Sequence, residues 1–361
     1  MEDETEMNVR LSGRGAGRRM IVAGVSAMVA ALTLTACGGS GGSASGGVTN
    51  KTDLTVTFGT NSPSTSPLWL AISEGFFKKH GLNVKALQAT SNVGATAVVS
   101  GAADIYYGEA TTSFQAVAQS QPLKIVGALR VLNDFKFYTL PSINSVDQLK
   151  GKSVAISAAG DSTELSTRLA FSELNASAGD VTLVPTGTSS NRLAALISGR
   201  MAGTLLTEPT ATKAKEKGMH LILDQTKEPF LGSAITVSQN FAKQNPKTIV
   251  SFLEALVDAV NFLQNPANQT ESLKVIAQNT EAKVTDEATI NGYKSYSTPG
   301  ALTMDPIPDP KAGAAMITGL KAENPAMYDK LALDQVYDPS FAKQIESSGY
   351  LKKVWGSALG S

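Results

Sequence analysis

The chain has 361 residues, 42% of them hydrophobic, and balances 31 basic side chains against 31 acidic ones. A formal charge of zero leaves no basic stripe for a nucleic acid to follow, so that class of partner is excluded. The length is enough for two domain cores, and one cysteine in the whole chain leaves no disulfide framework.

The first 36 residues read as an address rather than as fold. Arg10, Arg14, Arg18 and Arg19 form a basic stretch, and residues 20–34 are mostly apolar. That run is short for a membrane span and suits the core of a secretory signal. The acidic opening Met1-Glu2-Asp3-Glu4 is unusual before such a signal, so translation is expected to begin at Met7. Leu34-Thr35-Ala36-Cys37 closes the segment and resembles the bacterial lipobox, in which a cysteine after small residues is lipidated and becomes residue one. Cys37 is the only cysteine, which makes the match specific. Acyl chains there would hold the protein at a bilayer, on its extracytoplasmic face, at ~0.8 kcal/mol per buried CH₂. Gly38 to Gly47 is Gly/Ser-rich and predicts a flexible tether, so 37–50 is lipidated cysteine plus linker.

The body opens with a strand at 54–58, rich in β-branched residues. It turns through Asn61-Ser62-Pro63-Ser64-Thr65 into a helix with Ser66 as N-cap, Pro67 first inside, and Gly81 as the stop. A strand feeding a helix this way puts free N–H and OH groups at the carboxyl edge of a sheet, where open α/β folds hold ligands. Strands at 83–88, 104–107, 123–129 and 135–140 alternate with helices at 93–100 and 110–118, as parallel α/β layers do. A second set follows: strands at 153–156, 181–184 and 203–206, with helices running to about 174 and 199. The sets echo each other. Ala97-Val98-Val99-Ser100-Gly101 is matched by Ala195-Leu196-Ile197-Ser198-Gly199, and each is followed by a strand and a glutamate, Glu109 and Glu208. Two similar α/β domains facing across a cleft account for that. A strand at 234–238 returns to the first domain and the rest is helical. Residues 246–263 carry Ile249, Phe252, Leu253, Leu256, Val260 and Leu263 on one face.

These residues carry a family likeness. The words are Pro67-Leu68-Trp69-Leu70-Ala71, Glu74-Gly75-Phe76-Phe77-Lys78-Lys79-His80-Gly81-Leu82, Ser100-Gly101-Ala102-Ala103-Asp104, Leu149-Lys150-Gly151-Lys152 and Glu208-Pro209. The chain resembles the extracytoplasmic solute-binding proteins of ABC importers, in the branch for nitrate, alkanesulfonates, taurine and thiamine-pyrimidine precursors. The resemblance implies an α/β, two-lobed, periplasmic-binding-protein-like (type II) fold with the ligand cleft between two α/β domains. Lobe 1 is then 51–140 with 235–361 and lobe 2 is 141–234, with crossovers near Pro141 and near Phe230-Leu231-Gly232. It also implies a small-molecule solute, an ABC permease as partner, and a monomer at the membrane through its lipid.

Loop position selects the candidate ligand residues: Asn61, Ser62, Ser64 and Trp69, then Asn92, then Glu109 in the first half, and Asp161, Ser162, Thr188 and Glu208 in the second. Hydroxyls and helix N-termini suit a small oxyanion. Each also has a plain reading, as a helix cap (Asp161, Ser162), a turn residue (Ser62, Ser64) or core (Trp69). The rim glutamates bear on charge. Pointing inward and unpaired, they favour an amine, guanidine or aminopyrimidine edge, and taurine answers both ends. Turned to cap their helices, they leave the hydroxyls to decide. The body's four arginines, Arg130, Arg168, Arg192 and Arg200, fall outside the expected cleft loops. With two isolated histidines, His80 and His220, neither a Ser-His-Asp set nor a metal site assembles, and no cofactor is expected. The expectation is a binder and not an enzyme. The alternatives are a sensor, or an enzyme of the same fold acting on a pyrimidine-type substrate.

Overall fold

The computed structural model describes residues 47–59 and 61–359. The signal segment, Cys37 and all but the end of the tether lie outside the described residues. Ten strands are β1 (Asp53–Phe58), β2 (Asn83–Gln88), β3 (Ile105–Gly108), β4 (Leu123–Leu132), β5 (Lys136–Thr139), β6 (Ser153–Ile156), β7 (Thr182–Pro185), β8 (Gly203–Leu206), β9 (His220–Asp224) and β10 (Pro229–Ser238). They make two five-stranded sheets, β2-β1-β3-β10-β4 and β7-β6-β8-β5-β9. In each, three strands run parallel and a fourth pairs antiparallel with both its neighbours. That fourth strand, β10 or β5, is reached by a crossing from the other sheet. The internal echo is therefore a repeat of sheet order, with β3 and β8 in equivalent places. No helix among the described residues is long and apolar enough to cross a membrane.

The crossings differ in place from the sequence expectation. The chain leaves the first sheet after Leu132 and joins the second at Lys136, and it returns between Asp224 and Pro229. Residues 136–139, read as the end of the first domain, are β5 of the second sheet. Phe137 is fully buried there in a core with Phe171, Val154 and Leu205. Phe230 and Leu231, read as crossover, already sit in a first-sheet core with Phe114 and Ile125.

The largest core surrounds the helix Pro246–Gln264, whose Ile249, Phe252, Leu253, Leu256, Val260 and Leu263 are all buried, as their spacing predicts. Phe77 stacks on Phe252 at 4.8 Å, and the helix Ser66–Ser73 packs on the same core. Asp258 on the helix Pro246–Gln264 takes Lys79 Nζ at 2.8 Å, His80 Nε2 at 3.1 Å and the Tyr350 hydroxyl at 2.7 Å. Together they tie the C-terminal helix Tyr350–Trp355 to the core. Where β4 and β10 pair, Gly232 faces Arg130. A Cβ on Gly232 would fall 2.0 Å from Arg130 Nη2, so only glycine leaves room for the guanidinium.

Gly232→Ala is therefore expected to displace the Arg130 side chain and cost about 1–3 kcal/mol, read from the midpoint of urea unfolding. Asp258 gives a pH signature. Burial opposes its charge, but hydrogen bonds from His80, Lys79 and Tyr350 outweigh that and hold it at about 2. A depressed carboxyl stabilises the fold above its unfolded value of ~3.9 and loses that contribution as pH falls toward 2. Asp258→Asn should cost about 2–3 kcal/mol at pH 7 and much less at pH 2, in parallel denaturation series.

Candidate functional site

The equivalent strands β3 and β8 each deliver a glutamate to the junction of the two sheets. Glu109 stands at the N-cap of the helix Ala110–Ala118, yet its carboxylate makes no capping bond. Arg130 Nη2 donates to both of its oxygens, at 2.7 and 2.9 Å. Arg130 Nη1 donates to the Leu132 carbonyl at 2.7 Å and lies 3.2 Å from Asp134 Oδ1. Asp134 Oδ2 accepts from the Tyr296 hydroxyl, on the helix Glu287–Ser297. The Arg130 side chain is 2% exposed and lies 5.8 Å from the centre of the Phe230 ring. Two carboxylates thus share one buried guanidinium. Burial pushes Glu109 up to about 7, Arg130 pulls it down, and Asp134 and Asp161 add to the rise. For Arg130 burial works against the charge, but Asp134 and Glu109 outweigh it and raise its pKa. Burial and then Asp134 raise Tyr296.

Glu208 has a different set of partners. It accepts from Lys136 Nζ at 3.1 Å, and from Thr212 N at 3.1 Å and Oγ1 at 2.7 Å in the helix Thr210–Glu216. Asn291 Nδ2 bonds the same Thr212 hydroxyl at 3.1 Å. Gly292 packs against both sides. A Cβ there would lie 2.7 Å from Pro63 and 3.9 Å from Glu208 Cβ, so the helix Glu287–Ser297 closes onto the first-sheet loop and the second-sheet rim together.

Two adjoining cavities open along this helix. One, of about 350 Å³, is lined by Lys136, Tyr138, Glu208, Thr212, Lys215, Asn291, Lys294 and Ser295. The other, of about 470 Å³, shares Lys136, Glu208, Lys294 and Ser295 and adds Arg130, Asp134, Asp224 and Tyr296 among its walls. Lys215 and Lys294 have no carboxylate partner among the described residues. No group of three or more His, Cys, Asp or Glu there could hold a metal ion.

Of the ten ligand candidates, Glu208 lines both cavities and Glu109 lies behind Arg130. The others stand apart from these walls. Ser62 and Ser64 are buried with their hydroxyls 2.6 Å apart, in a turn whose Ser64 carbonyl accepts from Tyr107 and Ser233. Asn61 and Asn92 are exposed. Trp69 is a core residue, edge-on to Phe58 with ring centres 6.4 Å apart. Asp161 caps the helix Ser162–Glu173 through Thr163 N and Glu164 N, and also takes the Thr163 and Ser157 hydroxyls. Ser162 is buried in the first turn of that helix, and Thr188 caps Ser189–Ile197. Sequence reasoning missed Arg130, Asp134, Lys136, Lys294 and Tyr296. The available signal was a pair of cations bracketing the crossing, with a glycine on the partner strand.

Residues 62–269 match the NMT1/THI5-like family. No curated protein matches the chain. Solved structures share its fold. The periplasmic aliphatic sulphonate-binding protein SsuA of Escherichia coli is 17% identical, covering 80% of this chain and 93% of that one at a TM-score of 0.66. The periplasmic nitrate-binding protein NrtA of Synechocystis PCC 6803 is 16% identical, covering 82% and 89% at 0.70. The desulfurization enzyme DszB is 18% identical, covering 81% and 99% at 0.60. At these identities the likeness fixes a fold, the periplasmic-binding-protein type expected from the sequence. The family match spans more than half of the 361 residues, and the protein belongs to the NMT1/THI5-like family.

Proposed function

We propose that the protein is a solute receptor of an ABC importer, lipid-anchored through Cys37 on the extracytoplasmic face, which captures a small solute and passes it to a permease. The two sheets are the cores of two lobes, 47–132 with 229–359 and 136–224, hinged at 133–135 and 225–228. The solute class is that of sulfonates, taurine, nitrate or pyrimidine precursors.

One observation carries the choice within that class. Both rim glutamates are engaged by the protein's own cations, Arg130 and Lys136, while Lys215 and Lys294 on the cavity wall remain unpaired. The surplus charge facing the smaller cavity is positive, which suits an acid group, while in the larger one Arg130, Lys136 and Lys294 balance Asp134, Glu208 and Asp224. The case for an amine or aminopyrimidine rested on unpaired glutamates and loses its footing. A binding role fits better than a catalytic one. Asn, Ser, Thr and Lys side chains dominate the smaller cavity, and His80 and His220 line neither. The names of SsuA and NrtA, a sulphonate binder and a nitrate binder on this fold, point the same way.

Thermal melts of residues 47–361 with nitrate, ethanesulfonate, taurine, an aminopyrimidine and a polyamine test the reading. An acid-bearing solute at a hundred times its Kd should add ~2.7 kcal/mol of stability. Replacing Lys215 and Lys294 together by Met should weaken that solute at least tenfold, ~1.4 kcal/mol. Stabilisation by the polyamine alone would reverse the charge assignment. The anchor has its own test: cells fed a clickable fatty acid should label the wild-type protein and not Cys37→Ala.

A further inference from the structure

Glu109, Asp134 and Arg130 are short of one positive charge whenever both acids are ionised. The set is deep: Glu109 and Asp134 side chains are 17% and 14% exposed, and Arg130 is nearly sealed. Screening by water is weak in such a place, and a buried charge without a full partner is costly. The groups facing Glu109 come from every side. Arg130 reaches it from β4, Asp134 from the crossing, and Asp161 from the loop before the helix Ser162–Glu173; Tyr106 and Tyr107 stand on β3 just before it, and Tyr296 approaches from Glu287–Ser297. Only Arg130 among them is a cation. Glu109 takes both its hydrogen bonds from Arg130, and Asp134 takes one from the Tyr296 hydroxyl with Oδ1 left without a hydrogen bond among the described residues. What sets Glu109 apart is Asp161, a second acid facing it, so Glu109 is the acid left to hold a proton. Its carboxyl is accordingly pushed up to about 7, by burial first, against the pull of Arg130.

The larger cavity meets this set directly, because Arg130, Asp134 and Tyr296 are in its wall. A negative charge arriving there would compete with Glu109 for the guanidinium and press on a cluster already one charge in excess. We propose that Glu109 is a proton switch of the solute site, taking a proton from solvent onto its carboxylate as an anionic group enters, so that capture tightens as pH falls. The inference rests on the anionic-solute reading above. Its sign is fixed by the states. At pH 8 Glu109 is ionised and must gain a proton on binding; at pH 6 it already holds one, and the linkage fades.

Calorimetry of the lipid-free mature chain with ethanesulfonate, at pH 6 and pH 8 and in buffers of different ionisation heat, tests this. The wild type should bind three- to tenfold tighter at pH 6 and take up a fraction of a proton at pH 8, within the limit of about tenfold per pH unit for one proton. Glu109→Gln should bind with nearly the same affinity at both. A flat wild-type profile, or an unchanged slope in Glu109→Gln, overturns the switch. If no anion binds the wild type, the solute reading fails and the switch is judged without it, which also covers a Glu109→Gln chain that does not fold. Carboxyl ¹³C spectra should show Glu109 titrating near neutrality, and Ser295→Asp, a fixed charge on the same cavity wall, should move that titration upward. A Glu109 signal that titrates near pH 4, or that ignores Ser295→Asp, also overturns the proposal.

Discussion

The junction of the two sheets depends on the burial of one guanidinium. Taking Arg130 out of water costs several kcal/mol unless its N–H groups and its charge are met. Most of them are met, by Glu109 just past β3, 21 residues away, and by two near neighbours, the Leu132 carbonyl at the end of β4 and Asp134 in the crossing, while Nε has no hydrogen-bond partner among the described residues. Gly232 on β10 gives up a side chain so that the group fits, and Phe230 lays its ring beside it. Through Asp134 the set also reaches Tyr296, so the helix Glu287–Ser297 is held to the crossing by the same charges. Removing the charge at Arg130 leaves both acids without their cation, which costs more than a mere gap.

The exchange of strands explains why the two halves look alike and where the cations come from. Each sheet is three parallel strands completed by an antiparallel strand reached from the other sheet. The equivalent third strands put Glu109 and Glu208 at equivalent rims. The crossing at 133–135 is then flanked by the two cations that answer them, Arg130 before it for Glu109 and Lys136 after it for Glu208. One short connection thus supplies both rims.

What could be read from the sequence was local. The helix Pro246–Gln264 declared itself by its apolar face, and of the two cap candidates Asp161 and Ser162 it is Asp161 that caps its helix. The fold class followed from alternation and from the echoed helix ends. Caps and faces act within about four residues, which a spacing argument can see. The pairs that define the site act over 21 residues for Arg130 with Glu109 and 72 for Lys136 with Glu208, and no local pattern marks them. Arg130 falls outside the loops the sequence assigns to the cleft, and the structure places it in β4. The sheet to which 136–139 belongs was equally hidden, since burying Phe137 serves either core and only pairing with β8 and β9 decides. Trp69 sits in the core, its plain reading, on a helix buried on every side from Ser66 to Ala71.

The two rims, alike in sequence, differ in charge accounting, and that difference divides their labour. Glu208 has three donors, one of them the cation Lys136, beside two lysines with no carboxylate partner among the described residues. That wall is fixed and net positive, the condition for recognising an acid group. Glu109 shares its one cation with Asp134, so its charge depends on whatever else stands nearby. A carboxylate whose partner is divided can yield a proton or take one at little cost near neutrality, whereas a fully paired one cannot. On the proposals made above, recognition would fall to the second-sheet rim and adjustment to the first, and the helix Glu287–Ser297, packed near Pro63 on one side and Glu208 on the other, is where the two would be felt together.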